Sequence, residues 1–469
     1  MRIQLSDHFT YGRLLRFVFP SVVMMIFTSI AEIVDGFFVS NFVGKTSFAA
    51  LNLIWPFFGM LGSIGFMFGT GGSALVSRTL GEGEQARARR YFSMIVYTAI
   101  VCGILLAVIG YISVPAVAEF LGAEGEMLAG CIEYGRILMF SLPVFILEYI
   151  FQSFLVTAEK PKLGLTFMIV SGCTNMVLDF LFVAVLQLGL AGAAAATVIT
   201  KCVGGGLPLI YFIRARKIYL PPGDLPGTAA AEELSDEISG KTGVQLFLTK
   251  TNFEWKVLAH SCYNGLSEFA TTISLSLVSM LYNVQLLKFA GEDGVSAFGV
   301  IMYVDMIFIG VFQGYAVGSA PIVGYHYGAE DYDELKNMRR KSLTLTAVFG
   351  VSMCLAAALL SRPFGLLFVG YDEELLALTI RAFRIFCISY LFSGYNIYAS
   401  SFFTALGNGA VSAAISVMRT FIFQILCVLL LPALFGIDGI WIAISAAEVL
   451  ALGVTIFFFR RMRERYHYK

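Results

Sequence analysis

Several ionisable residues stand well inside long apolar stretches of the chain: Glu32, Asp35, Glu148, Asp179, Lys201, Asp305, Arg419 and Glu448. A charge in the middle of a hydrocarbon layer costs roughly 2.5–3.5 kcal/mol on insertion scales, so each of these needs a partner or a task. Depth singles out one subset. If the first stretch runs outward, Asp35 lies a few residues below its outer end. The fifth also runs outward and brings Asp179 to a similar level, with Asn175 one turn deeper on the same face. The sixth runs inward and carries Thr197 about as far below its start. At 1.5 Å per residue, Asp35, Asp179 and Thr197 fall roughly 8–11 Å beneath one surface, with the Asn175 amide within reach of that level. Two carboxylates, an amide and a hydroxyl form a hard-oxygen set suited to a proton or Na+, and neighbouring carboxylates raise one another's proton affinity. The other charges read equally well as structural pairs. Lys201 has three candidate partners: Glu32 or Glu148 in its own half, or Glu448 across a central cavity.

The elements that must position these groups are membrane helices. The chain has 469 residues, 58% hydrophobic and 14% charged, whereas a soluble protein carries nearer a quarter charged. The apolar surplus falls in blocks long enough to cross a ~30 Å hydrocarbon layer. Spans are expected near 13–38, 49–77, 91–113, 132–157, 163–185, 190–213, 256–288, 295–322, 340–362, 376–404, 409–431 and 437–460. The fold class is therefore an all-α integral membrane protein of about twelve helices. Basic residues collect in alternate loops and at the C-terminus (Arg87, Arg89, Arg90; Arg214, Arg216, Lys217; Arg339, Arg340, Lys341; Arg460, Arg461, Arg463, Arg465), while the opposite loops are acidic. This bias places both termini in the cytoplasm. Because the charges alternate by loop, a nucleic-acid partner is not expected; the partner is the bilayer. The first apolar block is too long and too polar for a cleaved signal peptide. Eight dispersed cysteines without a CxxC argue against a disulfide framework or a zinc site. No HExxH or GxSxG is present, and none of His8, His260, His326 and His467 has a partner at catalytic spacing, so an enzyme is not expected.

Sliding the sequence on itself by 247 residues superposes landmarks in both halves: Phe42 and Gly44 on Phe289 and Gly291, Gly71 and Gly81 on Gly318 and Gly328, Thr157-Ala158 on Thr404-Ala405, Gly189 and Gly192 on Gly436 and Gly439. The chain reads as a duplication, with a six-helix lobe over 1–213, a polar cytoplasmic linker over 214–255 and a second six-helix lobe over 256–469. Six is even, so the bundles insert alike, related by a pseudo-two-fold along the membrane normal with substrate handled between them. The duplication is also an internal control. Asp35, Asn175, Asp179 and Thr197 align with Tyr282, Ile422, Leu426 and Ile444. Groups needed only to hold a lobe together would recur in both; their restriction to the first points to an ion site there.

In this order along the chain, Ile33-Val34-Asp35-Gly36-Phe37-Phe38-Val39, Gly81-Glu82-Gly83-Glu84, Asn175-Met176-Val177-Leu178-Asp179, Gly189-Leu190-Ala191-Gly192 and Gly324-Tyr325-His326-Tyr327-Gly328-Ala329-Glu330 resemble the multidrug and toxic compound extrusion (MATE) transporters, in their DinF- and MepA-like branch. The resemblance implies a monomeric secondary transporter of a bacterial inner membrane. It would export amphipathic, often cationic small molecules in exchange for H+ or Na+ by alternating access, with no cofactor beyond the coupling ion. It implies an ion site at Asp35, Asn175, Asp179 and Thr197 and a helix 1 that bends at Pro20. Glu32, Glu148, Lys201 and Glu448 are left as cavity or charge-pairing residues. Where another branch carries an acidic residue on helix 7, this chain is expected to have Leu275, with Glu268 near the cytoplasmic end of that helix. Two other transporters also fit twelve helices. A major-facilitator protein should show Gly-x-x-x-Asp-Arg-x-Gly-Arg in its first cytoplasmic loop, which residues 77–90 lack. A lipid-linked-precursor flippase of the same superfamily would use free basic groups such as Lys201 and Arg419 to meet an anionic carrier.

Overall fold

The structure, a computed structural model, describes residues 3–43, 45–219, 244–370 and 372–468. Twelve spans follow in order: α1 (Tyr11–Phe42), α2 (Ala50–Gly81), α3 (Gln85–Phe120), α4 (Gly125–Met139 and Leu142–Thr157), α5 (Pro161–Val185), α6 (Gly189–Tyr219), α7 (Trp255–Gly291), α8 (Asp293–Gly328), α9 (Tyr332–Val369), α10 (Glu373–Ala405), α11 (Gly409–Phe435) and α12 (Ile437–Met462). They form two six-helix bundles, as the repeat implied.

The fourth span is not one straight helix: it bends by 59° at Phe140-Ser141. Pro143, in the first turn of the second piece, has no N–H to continue the ladder. The nearby amides of Phe140 and Ser141 turn instead to Ile137 and Leu138, three residues back. The bend redirects the outer half of α4 across α2 and α6, where Gly130 lets it approach Ala50 and Leu190. Two spans also widen locally into π-helix, α5 over Phe180–Val185 and α11 over Met418–Ile422. Such bulges frequently accompany functional sites.

The lobes meet tightly on the side of both termini. A Cβ on Gly81 would stand 2.0 Å from the Tyr325 carbonyl oxygen, and one on Gly328 would stand 2.0 Å from that of Arg78. These contacts exchange under the 247-residue offset, so the pseudo-two-fold passes between them. Further in, Gly71 packs on the Ser261 carbonyl of α7 and Gly318 on Val18 of α1. Only hydrogen side chains allow backbones this close.

The linker region is partly built into the first lobe. Helix α6 continues to Tyr219, and residues 220–243 lie outside the described residues. Val244, Leu246, Phe247 and Leu248 are buried; Leu248 N–H donates to the Phe212 carbonyl and Thr249 N–H to Ser93 Oγ. The N-terminal segment spans both lobes. Leu5 N–H donates to Glu159 Oε1 at 2.7 Å in the first lobe, and Phe9 N–H to Glu334 Oε1 at 2.9 Å in the second.

Candidate functional site

Helices α1 and α5 run in the same direction and touch at Phe27 and Gly172, where a Cβ on the glycine would fall 2.4 Å from the ring. From that contact, eight residues along α1 lead to Asp35 and seven along α5 lead to Asp179, a rise of about 11–12 Å in each. Equal climbs from one contact point bring the two carboxyl groups to the same level, within electrostatic reach of each other. Ser171 Oγ donates to the Thr200 carbonyl at 3.0 Å and fixes α6 alongside. Asp35, Asn175 and Thr197 consequently line one cavity of about 400 Å³, with Asp179 fully buried behind them. The four residues grouped by depth are therefore neighbours.

The electrostatics of this corner are unusual. One oxygen of Asp35 and both of Asp179 are shut away from solvent without a hydrogen-bond partner among the described residues. A buried carboxylate left unpaired costs several kcal/mol or more, so a proton or cation has to supply the missing interaction. Lys201 is near enough for its charge to act on Asp35, but its ammonium is committed elsewhere. It pairs with Glu148 at 3.0 Å and sits 4.5 Å over the Phe145 ring. Of the three partners open to Lys201, Glu148 is the one it uses; the side chain of Glu32 lies outside the described residues.

Tyr134 completes the corner and was not picked out from sequence. It is fully buried on the redirected half of α4, its hydroxyl beside Thr197 and within electrostatic reach of both carboxylates. It is one of 21 tyrosines, and only the bend in α4 brings it here. The second lobe replaces the whole arrangement with neutral chemistry: Tyr282, aligned with Asp35, donates its hydroxyl to Gln424 Oε1 at 2.7 Å.

A second cavity of about 360 Å³ lies between the lobes, lined by Ser and Thr hydroxyls, apolar side chains, Glu268 and Arg419. Here the structure corrects a sequence expectation. Glu268 is not at the cytoplasmic end of its helix but about 20 Å into it, at 1.5 Å for each of the thirteen residues past Trp255, and it faces the central space. Leu275 lines the same cavity two turns on. Arg419, on the π-helical turn of α11, donates through Nε to Glu448 Oε1 at 2.7 Å. Glu448 Oε2 accepts from Asn396 Nδ2 at 2.7 Å, and Asn396 Oδ1 accepts from Thr455 at 2.8 Å. Glu448 thus serves a closed network within its own lobe and does not face Lys201. Pro20 sits inside continuous helix, one residue before the Ser21-Val22 backbone that Gly314 of α8 abuts.

Two bundles of six membrane-length helices enclose the central cavities, the architecture of a membrane transporter. The MatE family model matches residues 20–181 and again 269–430, once in each lobe, and the chain belongs to that family of MATE transporters. The chain is 22% identical over 460 residues to the Multidrug export protein MepA of Staphylococcus haemolyticus, covering 97% of this chain and 94% of that one. MepA of Staphylococcus aureus strain MSSA476 is similar at 22% over 451 residues, 95% of this chain and 93% of the relative. Among solved structures, a MATE protein in complex with MaL6 superposes with a TM-score of 0.87 at 19% identity, covering 100% of this chain and 98% of its own. An outward-facing multidrug resistance MATE transporter of the MOP superfamily gives 0.86 at 19%, with the same coverage.

Proposed function

We propose that the protein is a multidrug exporter of the cell membrane, with both termini cytoplasmic, that expels amphipathic and often cationic compounds in exchange for H+ or Na+ by alternating access. The observation that carries this reading is the Asp35–Asp179 corner: two adjoining carboxylates with buried, unpartnered oxygens, beside Asn175, Thr197 and Tyr134. Such a site has a free-energy need that a cation or proton meets, and the second lobe lacks it. Glu268 and the hydroxyl-rich central cavity suit a bound organic cation. The export role of the MepA relatives supports the same substrate class. The glycine contacts close the side of the termini, so the conformation fits the state that loads the ion from outside. Bound ion shifts the lobe equilibrium only by its different affinity for the two states.

The flippase alternative needs free cations in the cavity. Lys201 and Arg419 are both held by buried carboxylates, so neither is available to an anionic carrier.

The test is transport by the purified protein in liposomes under separately imposed proton and sodium gradients. Asp35→Asn and Asp179→Asn are each expected to abolish gradient-driven export of a cationic dye while leaving folded protein. Coupled export persisting in the double variant would overturn the site.

A further inference from the structure

A cavity of about 660 Å³ opens on the outer flank of the second lobe, between α9, α10 and α12 and apart from the two cavities already described. Three arginines, Arg339, Arg460 and Arg463, stand at its end nearest the termini. The walls further in are apolar and include Leu343, Ala347, Val351, Leu391, Phe392 and Ile456. Val351 and Ile456 are 50% and 43% exposed, which in a membrane-spanning bundle means that the groove is open to lipid.

The basic end is not used up by the protein. Arg339 Nε is shut away from solvent with no hydrogen-bond partner among the described residues, its guanidinium lying over the Tyr468 ring. Among the described residues none of the three arginines has an acidic partner. Arg460 lies in the last turn of α12 and Arg463 just past its last residue, Met462, where basic residues mark the cytoplasmic end of the span. From Arg339 to Val351 the wall of α9 climbs about 18 Å, against roughly 15 Å for one leaflet's hydrocarbon.

We propose that this groove holds one anionic phospholipid, its phosphate on Arg339, Arg460 and Arg463 and an acyl chain along the α9 wall. Guanidinium forks match phosphate oxygens in pairs, and basic pockets between membrane helices select anionic headgroups. The two ends of the groove demand a molecule with an anion at one end and a long apolar chain at the other. A soluble anion would leave the apolar walls uncovered. The site takes no part in the exchange reaction above and stands or falls separately from it.

Native mass spectrometry of the full chain in detergent tests this, with dioleoylphosphatidylglycerol against dioleoylphosphatidylcholine. The wild type is expected to keep one phosphatidylglycerol at least about tenfold more readily than phosphatidylcholine. The variant Arg339→Gln/Arg460→Gln/Arg463→Gln should lose that preference. Should removing Arg339 unfold the chain, Arg460→Gln/Arg463→Gln, on exposed side chains, carries the same expectation in weaker form. Ala347→Trp, which fills the apolar part and keeps every arginine, should also lose the lipid. Phosphatidylglycerol retained undiminished by the arginine variants, equal retention of phosphatidylcholine, or indifference to Ala347→Trp would each overturn the proposal. Displacement of the lipid by millimolar inorganic phosphate would reassign the arginines to a free anion and also overturn it.

Discussion

Replacing Gly81 and Gly328 with alanine perturbs the contact between lobes without touching the core of either. Each new Cβ would lie 2.0 Å from a backbone carbonyl oxygen of the opposite lobe, Tyr325 or Arg78. Carbon–oxygen contacts in packed helices settle at about 3.3–3.6 Å, so the lobes must part here by about 1.3 Å or more. The oxygens belong to helical backbone and cannot swing aside as a side-chain tip would. Overpacking of this kind costs typically 1–3 kcal/mol. The cost falls only on the state in which the side of the termini is closed, because the offending atoms separate once it opens. A bias of 1–3 kcal/mol moves a two-state equilibrium by about 5–150-fold. Spin labels at Lys162→Cys and Lys336→Cys, exposed positions on that side of the two lobes, report the separation by pulsed electron resonance in a background without other cysteines. The longer-distance population should grow in Gly81→Ala/Gly328→Ala and not in Gly12→Ala, where a Cβ meets nothing within 4 Å. Thermal unfolding of the two variants should differ little. An unchanged distance distribution together with unchanged export would refute a glycine seal.

Tyr134→Phe removes one hydroxyl from the ion corner and should weaken the dependence of export on the imposed gradient several-fold, read in the same liposome assay. Tyr282→Phe, at the equivalent position of the second lobe, should leave that dependence intact. Glu148→Gln strands the Lys201 ammonium and should cost about 3–5 kcal/mol, seen as a lower unfolding temperature, whereas Glu148→Leu with Lys201→Met should recover most of it. Glu334→Gln weakens the grip on the N-terminal segment at His8 and Phe9, and the Lys162–Lys336 labels should report a looser side of the termini.

The parts legible in the sequence were those that depend on position along one axis. Span number follows from the length of apolar runs, and depth follows from counting residues at a fixed rise. Asp35, Asn175, Asp179 and Thr197 could be grouped because helix direction and depth alone set their level. Azimuth is different, since it is fixed by packing between distant segments. Lys201 had three partners at acceptable depth, and only the close approach of α4 and α6 chooses among them: a Cβ on Gly205 would strike the Val144 carbonyl at 2.1 Å, which turns Glu148 toward Lys201. Tyr134 depended on a bend set by Pro143. Glu268 needed the face that α7 turns to the centre, which residue counting from its start does not give.

The contrast between lobes carries a mechanical consequence. Both halves keep the same glycine contacts at the seal, so both must move when it opens. In the first half Asp35 and Asp179 carry buried oxygens without partners among the described residues, while the second closes the matching space with Tyr282 and Gln424. On the proposed reading, an ion therefore acts on one lobe and is felt by both through a shared contact. The seal and the ion site are then separable by mutation: alanine at Gly81 and Gly328 should shift the resting state while gradient dependence survives, and asparagine at Asp35 should abolish gradient dependence while the seal still closes.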